Sequence, residues 1–344
     1  MSEQITNQNF TAAVAERTRH FEWRMEQFLQ EEGPIANLHD ALLYGLGLDV
    51  DDRSVRGKRI RPALSLLTCQ VLGGDESQAM PFALAIELMH NFALVHDDIE
   101  DGDEVRRNRP AIWIKYGLPH AVNIGDYYFC KVYQALLEGA ETGLSDAKRL
   151  RLIALMTDTL DHTHRGQALD MNARLSREFT TKDYLEIVTE KTGYYLAAPI
   201  LGGAIVSDAD RETEQAIANY GQCLGPLFQI VDDIIDLTTG KGRGETGSDI
   251  REGKRSYLVA VAAPACSADE RQRLYDILDQ PRAETTTEDV EWAIELYRRT
   301  GALDEAHRYC RELREHCLSA VANTPQPLRQ LLTVVADYLV DRKK

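Results

Sequence analysis

Several features that would assign a chain to a class are missing here. The opening residues, MSEQITNQNF, hold neither the basic nor the apolar stretch of a secretory leader. The longest apolar-looking run, Tyr194 to Val206, is too short and glycine-rich to span a bilayer. No integral membrane segment and a cytoplasmic location are therefore expected. The six cysteines (69, 130, 223, 266, 310 and 317) form no CxxC pair, which excludes a disulfide framework as the first reading and leaves reduced thiols. A basic excess is missing as well: the formal net charge of −16 argues against a nucleic-acid footprint. There is no GxxxxGK[ST] loop, so nucleotide binding is not implied. Metal-spaced His or Cys groups are lacking, which disfavours zinc.

Period-two alternation and short repeats are also absent. What is present is helical periodicity in a chain of 344 residues, 44% of them hydrophobic, enough to bury a substantial core. The pattern predicts helices over roughly 9–32, 35–47, 60–73, 79–101, 119–141, 146–162, 163–177, 181–206, 209–239, 255–280, 287–300, 302–322 and 326–342. One all-α domain over residues 1–344, a bundle of about ten to thirteen helices, is the simplest architecture. The charged, glycine-bearing loops at 51–62 and 238–254 are the ones most suited to function.

Residues 94–110 read LVHDDIEDGDEVRRNRP. On a helix, Asp97 and Asp101 stand about 40° apart around the axis, so both carboxylates can reach one ion, with Asp98 beside them. The pattern returns as DDIID: Asp232, Asp233 and Asp236 end the apolar run FQIV. Carboxylates near a helix C-terminus are opposed by the macrodipole. One such motif reads as an ordinary solvated helix end. Two, each with an apolar lead-in, read as cation sites, and carboxylates shared with phosphate oxygens and water suit Mg²⁺.

Phosphate then needs cations of its own. Arg106 and Arg107 follow the first motif. GKRIRP at 57–62 clusters Lys58, Arg59 and Arg61, and His90 lies seven residues before Asp97 on the same helical face. Lys191-Thr192-Gly193, Gln229 and Lys254 surround the second motif along the chain. Singly each is a common solvated group; together they describe two anion sites around one metal cluster.

With these motifs in this order the sequence resembles the trans-isoprenyl diphosphate synthases of the polyprenyl synthetase family, from GKRIRP to the terminal DRKK. HNFALVHDD, NIGD (123–126), GQALD (166–170) and GSDIREGKRS (247–256) match as well. The resemblance implies the isoprenoid synthase fold around a deep central cavity, a homodimer, and three Mg²⁺ ions bound with an allylic diphosphate. It gives Asp97, Asp101 and Asp232 the most direct metal contacts, with Asp98, Asp233 and Asp236 supporting and Gln167 and Asp170 near the metals. Arg106, Lys191 and Lys254 would hold the allylic diphosphate. Lys58, Arg61, His90 and Arg107 would hold isopentenyl diphosphate, and Thr192 and Gln229 would lie near the reacting carbons. Arg59 occupies a variable family position and receives no role. Asn108-Arg109 replaces a glycine-containing family segment, and Glu100 adds a charge, so loop geometry is where a departure is expected.

The implied reaction ionises an allylic C–O bond, lets the isopentenyl double bond attack the cation, and passes a proton to the released diphosphate. Water must be kept out, and the 238–254 loop and the tail Asp341–Lys344 are candidate lids, the tail equally a frayed end. Phe92 and Ala93, five and four residues before Asp97, would set the floor under the growing chain, about 6–7.5 Å down the helix; Tyr127 and Tyr128 are further floor candidates. An aromatic followed by a small residue resembles the geranylgeranyl (C20) synthases, with farnesyl (C15) next. The competing readings are a class I terpene cyclase, a non-catalytic subunit of a heteromeric synthase, and an inert acidic scaffold.

Overall fold

Residues 76–100 are apolar on nearly every face, and a helix of that kind must be wrapped by others. In the computed structural model they form one helix, Glu76–Glu100, with every residue from Ala79 to Met89 buried. By length and composition this helix could cross a membrane, yet 78% of its most apolar window is buried inside the protein, as in a core helix. The structure describes residues 5–30, 34–139, 142–238 and 246–340.

Two compact units emerge. The first comprises Met1–Thr157, Ala198–Gln215 and Thr324–Leu331, the second Asp158–Ala197, Ala216–Asn323 and Leu332–Lys344. In chain order the first begins with α1 (Phe10–Phe28), α2 (His39–Leu46), α3 (Ile60–Val71) and α4 (Glu76–Glu100). The strands β1 (Val105–Arg106) and β2 (Arg109–Pro110) follow, then α5 (Ile112–Tyr116), α6 (Leu118–Glu138) and the start of α7 (Asp146–Ala173). Helix α4 packs chiefly on α6 and α3, and α1 packs on α3. Tyr128 of α6 is fully buried and donates its hydroxyl to Leu42 O of α2. Tyr128 is therefore a core residue tying two helices together, which removes it as a floor for a growing chain.

The second unit takes in α8 (Thr181–Val188), a π-turn (Thr189–Gly193), the start of α9 (Tyr194–Val206) up to Ala197, and α10 (Arg211–Thr238) from Ala216 on. After these come α11 (Ser248–Arg251), α12 (Tyr257–Ala265), α13 (Ala268–Asp279), α14 (Thr287–Arg299), α15 (Ala302–Ala320) and α16 (Gln326–Val340) from Leu332 on, the remaining parts of α9, α10 and α16 belonging to the first unit. Three of its helices start with complete capping boxes, Thr180 with Asp183, Ser267 with Glu270 and Thr286 with Asp289, each worth about 1 kcal/mol.

The all-α class is as expected, and the only sheet among the described residues is the two-residue pair β1–β2. Some boundaries differ. The expected break at 162/163 is absent and α7 runs through it. The expected helix 255–280 is two, because Ser267 caps α13 with its side chain instead of continuing α12. The segment 181–206 is interrupted by the π-turn. Residues 239–245 of the glycine-rich loop and the tail Asp341–Lys344 lie outside the described residues.

Candidate active site

Helix α4 ends where its motif requires a change of direction. Gly102 takes the left-handed conformation (φ 67°) and Asp103 N bonds back to Asp98 O at 2.9 Å, closing the helix in a Schellman-like turn. Asp97 and Asp101 stay one turn apart, joined by the helical bond from Asp101 N to Asp97 O at 2.8 Å. Both are partly exposed, whereas Asp98 is buried. Asp98 accepts from Arg106 Nε at 2.8 Å and from Nη2 of the same guanidinium, which also reaches Asp103 Oδ2 at 3.4 Å. The macrodipole penalty on Asp98 is thus offset by a cation eight residues along the chain.

Arg107 and Asn108 form the two-residue loop between β1 and β2, with Arg106 opposite Arg109. Both loop residues have positive φ, 52° and 60°, as a type I′ hairpin turn demands. Asparagine tolerates this region, and arginine is forced into it. The hairpin is held from outside by Arg109, which pairs with both oxygens of Asp49 at 2.8 and 2.5 Å and stacks 3.7 Å from the Tyr44 ring centre. Tyr44 donates its hydroxyl to Pro110 O at 2.7 Å.

Arg107 donates to Gly45 O at 3.1 Å and lies along Gly57, where a Cβ would come within 3.2 Å of its guanidinium. Burial, with the Arg59 charge next in size, holds Arg107 down at about 10. His90 is lowered well below 6.5 by burial and then by Arg61, Arg107, Arg106 and Arg59, so it is neutral at pH 7. The neutral His90 thus stands within the field of Arg61, Arg107, Arg106 and Arg59. Arg59 is turned inward: at φ 48° it caps α3, and its buried guanidinium bonds Glu87 and Leu46 O. Lys58 remains exposed. A cavity of about 30 Å³ lies behind the hairpin, lined by Asn91, Asp98, Arg106 and Arg107 among others, room for about one water.

Phe92 lies 4.9 Å from the His96 ring and 5.5 Å from that of Phe129 on α6, so its ring turns toward α6. Ala93 follows, about 100° further round the helix, and is partly exposed.

In the second unit the acidic motif is built on similar lines. Asp233 is buried and accepts from Tyr184 Oη at 2.8 Å, Gln229 Nε2 at 3.2 Å and Tyr257 N at 3.4 Å. Asp236, fully buried, accepts from Ser248 Oγ at 2.6 Å and Asp249 N at 3.1 Å. Asp232 is partly exposed. Burial and then the Asp233 charge push the Tyr184 hydroxyl well above 10, fixing it as a donor. Lys254 Nζ lies 2.8 Å from Glu252 Oε2 and 3.4 Å from Asp249 Oδ1.

Lys191 and Thr192 sit in the π-turn, a wide turn of the kind often found at functional sites. Its backbone is pressed by neighbours that have no side chain. A Cβ on Gly166 of α7 would stand 2.2 Å from Lys191 N, and one on Gly225 of α10 would stand 2.5 Å from Gly193. One turn beyond Gly166, Asp170 accepts from Lys191 Nζ at 2.9 Å. Gln167 lies beside Gly166 on α7, partly exposed. Sequence reasoning missed the partners that fix these groups, Tyr184, Ser248 and Glu252. No spacing signal announces Tyr184; Ser248 and Glu252 lie within the matched GSDIREGKRS segment.

Among the described residues no three His, Cys, Asp or Glu side chains form a group that could hold a metal ion unaided. The carboxylates present fit Mg²⁺ in its usual mode, one or two carboxylates with the shell completed by phosphate oxygens and water.

Comparison with known proteins places the chain. The polyprenyl synthetase family model matches residues 51–297. A short chain isoprenyl diphosphate synthase of Methanothermobacter thermautotrophicus is 34% identical over 83% of this chain and 87% of its own length. A geranylgeranyl diphosphate synthase of Methanosarcina mazei is 33% identical over 83% and 86%. The crystal structure of geranylgeranyl pyrophosphate synthetase from Pyrococcus horikoshii superposes with a TM-score of 0.85 at 29% identity, covering 97% of this chain and 99% of that one. Motifs, helical architecture and relatives agree, and the chain belongs to the polyprenyl synthetase family.

Proposed function

We propose that the protein condenses isopentenyl diphosphate with an allylic diphosphate to give a short-chain all-trans prenyl diphosphate, foremost geranylgeranyl diphosphate, in a Mg²⁺-dependent reaction. The observation that carries this is the shared construction of the two acidic motifs. In each, at least one carboxylate is buried and bonded by protein donors (Asp98, Asp233, Asp236) beside partly exposed neighbours (Asp97 and Asp101; Asp232).

Asp97, Asp101 and Asp232 are the metal ligands in this reading, supported by Asp98, Asp233, Asp236 and Asp170. Mg²⁺ bound there would offset the charge that builds on the departing diphosphate. Arg106, Lys191 and Lys254 hold the allylic diphosphate and add cationic stabilisation of the same charge. Lys58, Arg61 and Arg107 hold isopentenyl diphosphate, and His90, neutral, serves as a hydrogen-bonding group there. Thr192 and Gln229 orient the reacting carbons. The proton lost after attack goes to the released diphosphate, so no dedicated side-chain base is needed. Phe92 and Ala93 limit the chain at C20.

Purified protein given Mg²⁺, isopentenyl diphosphate and a C5, C10 or C15 primer should yield a C20 diphosphate by mass spectrometry. Cyclised hydrocarbon would favour a cyclase; no turnover with any primer would favour a non-catalytic subunit. The relatives, named as synthases, favour neither. A single catalytic domain, a cytoplasmic location and a homodimer complete the reading. Light scattering of the purified protein tests the homodimer, a mass of about twice the 38.7 kDa chain being the expected result.

A further inference from the structure

One face of α7 meets the π-turn at three successive turns. Gly166 and Asp170 supply two of these contacts, through the backbone and the ammonium of Lys191. The third is His162, four residues before Gly166 and outside the motif that carries it. Its Nδ1 donates to Glu190 Oε2 at 2.8 Å, and its ring lies flat on that of Tyr194, centres 3.4 Å apart and planes 3° apart. Glu190 and Tyr194 flank Lys191-Thr192-Gly193. One imidazole therefore touches both ends of the turn that presents Lys191 and Thr192.

We propose that His162 is a positioning residue for the prenyl transfer: by bridging Glu190 and Tyr194 it sets the opening of the π-turn and hence the reach of Lys191 toward the allylic diphosphate. This rests on the role given above to Lys191. A π-turn is less favourable than a regular α-helical turn and persists where its surroundings determine it. Gly166 of α7 and Gly225 of α10 permit close approach but do not pull. His162 supplies the tie, a hydrogen bond at one end and a stacked ring at the other. Around it, Asp158 Oδ1 lies 3.7 Å from His162 Nε2, and Arg165 Nε lies 3.8 Å from Glu190 Oε2. Arg165 is 64% exposed, against 17% and 19% for the paired His162 and Glu190, and its longer contact cannot replace theirs.

The test is a double-mutant cycle on the full chain, read by steady-state kinetics with Mg²⁺, isopentenyl diphosphate and a C15 primer. His162→Ala should lower kcat/KM for the primer about tenfold, through a slightly displaced Lys191, while KM for isopentenyl diphosphate stays within about twofold of the parent. In a Lys191→Ala background the same substitution should change kcat/KM by less than about twofold, because the group it positions is gone. His162→Asn, which can still donate to Glu190, should recover part of the loss, as should His162→Phe, which keeps the stacked ring. Thermal melts report whether each variant is folded.

An additive cycle, or equal losses for both substrates, would mean His162 is merely structural and overturns the proposal. So would a fully active His162→Ala in an enzyme that Lys191→Ala disables. Were Lys191→Ala itself without effect, the role of Lys191 would fall, and the tie with it.

Discussion

Gly166→Ala is the most sharply defined perturbation the structure offers. The added methyl would stand 2.2 Å from Lys191 N and 2.5 Å from its Cα, where ordinary contact begins near 3.4 Å. The clash is with backbone, so no rotamer change relieves it, and α7 and the π-turn must part by about 1 Å. Alanine is the better helix former by about 1 kcal/mol, and overpacking costs about 1–3 kcal/mol. The net cost is at most about 2 kcal/mol. With unfolding entropy of about 2.1 cal/mol/K per residue, the melting temperature should fall by no more than a few degrees. Activity is the sensitive readout, since a displacement near 1 Å at a positioned group costs up to about 100-fold. Initial rates of labelled isopentenyl incorporation, with primer varied, should show kcat/KM down by one to two orders while the protein still melts cooperatively. A variant with parental kinetics and melting would refute the idea that close approach of α7 sets the geometry of Lys191.

Phe92→Ala should lengthen the products beyond C20, read as a shifted ladder by mass spectrometry; an unchanged ladder at retained activity would show that Phe92 is not the floor. Arg106→Ala leaves Asp98 and Asp103, with side chains 5% and 2% exposed, without this guanidinium and should cost up to about 3 kcal/mol. Adding Asp98→Asn should restore part of that stability in urea titrations, and equal midpoints for the single and double variants would contradict the pairing. His90 has its native pKa well below the unfolded 6.5, so below pH 6.5 the unfolded chain takes up a proton that the native one refuses. Stability should then fall by up to about 1.4 kcal/mol per pH unit as pH drops, from this group alone. His90→Gln should remove that component in denaturation series between pH 5 and 7.5, and an unaltered slope would count against the neutral imidazole.

The helices and charged motifs were readable because they are local: spacing on one helix puts Asp97 near Asp101, and GKRIRP needs no fold to be basic. The all-α class followed from periodicity for the same reason. Tertiary choices were not readable. Nothing in DDIED says that Asp98 turns to Arg106, nor does KRIR reveal that its first arginine, Arg59, points inward at Glu87. Asp161-His162-Thr163-His164, four middling helix formers, look like a break at 162/163, yet packing carries α7 through it. The π-turn has no propensity signature; it exists because Gly166 and Gly225 let two helices crowd its backbone. Arg107-Asn108 lacks the Asn-Gly or Asp-Gly sequence that marks a type I′ hairpin, so the turn passed unseen.

That hairpin sets two selective pressures against each other at one codon. A bulky residue at φ 52° carries about 1–2 kcal/mol of backbone strain that glycine would shed, and glycine would also give up the grip on ligand proposed for Arg107. Libraries screened for heat tolerance alone should drift toward glycine at 107 and lose turnover, while those screened for turnover should keep the arginine and strengthen the outer hold on the hairpin, where Asp49 and Tyr44 meet Arg109.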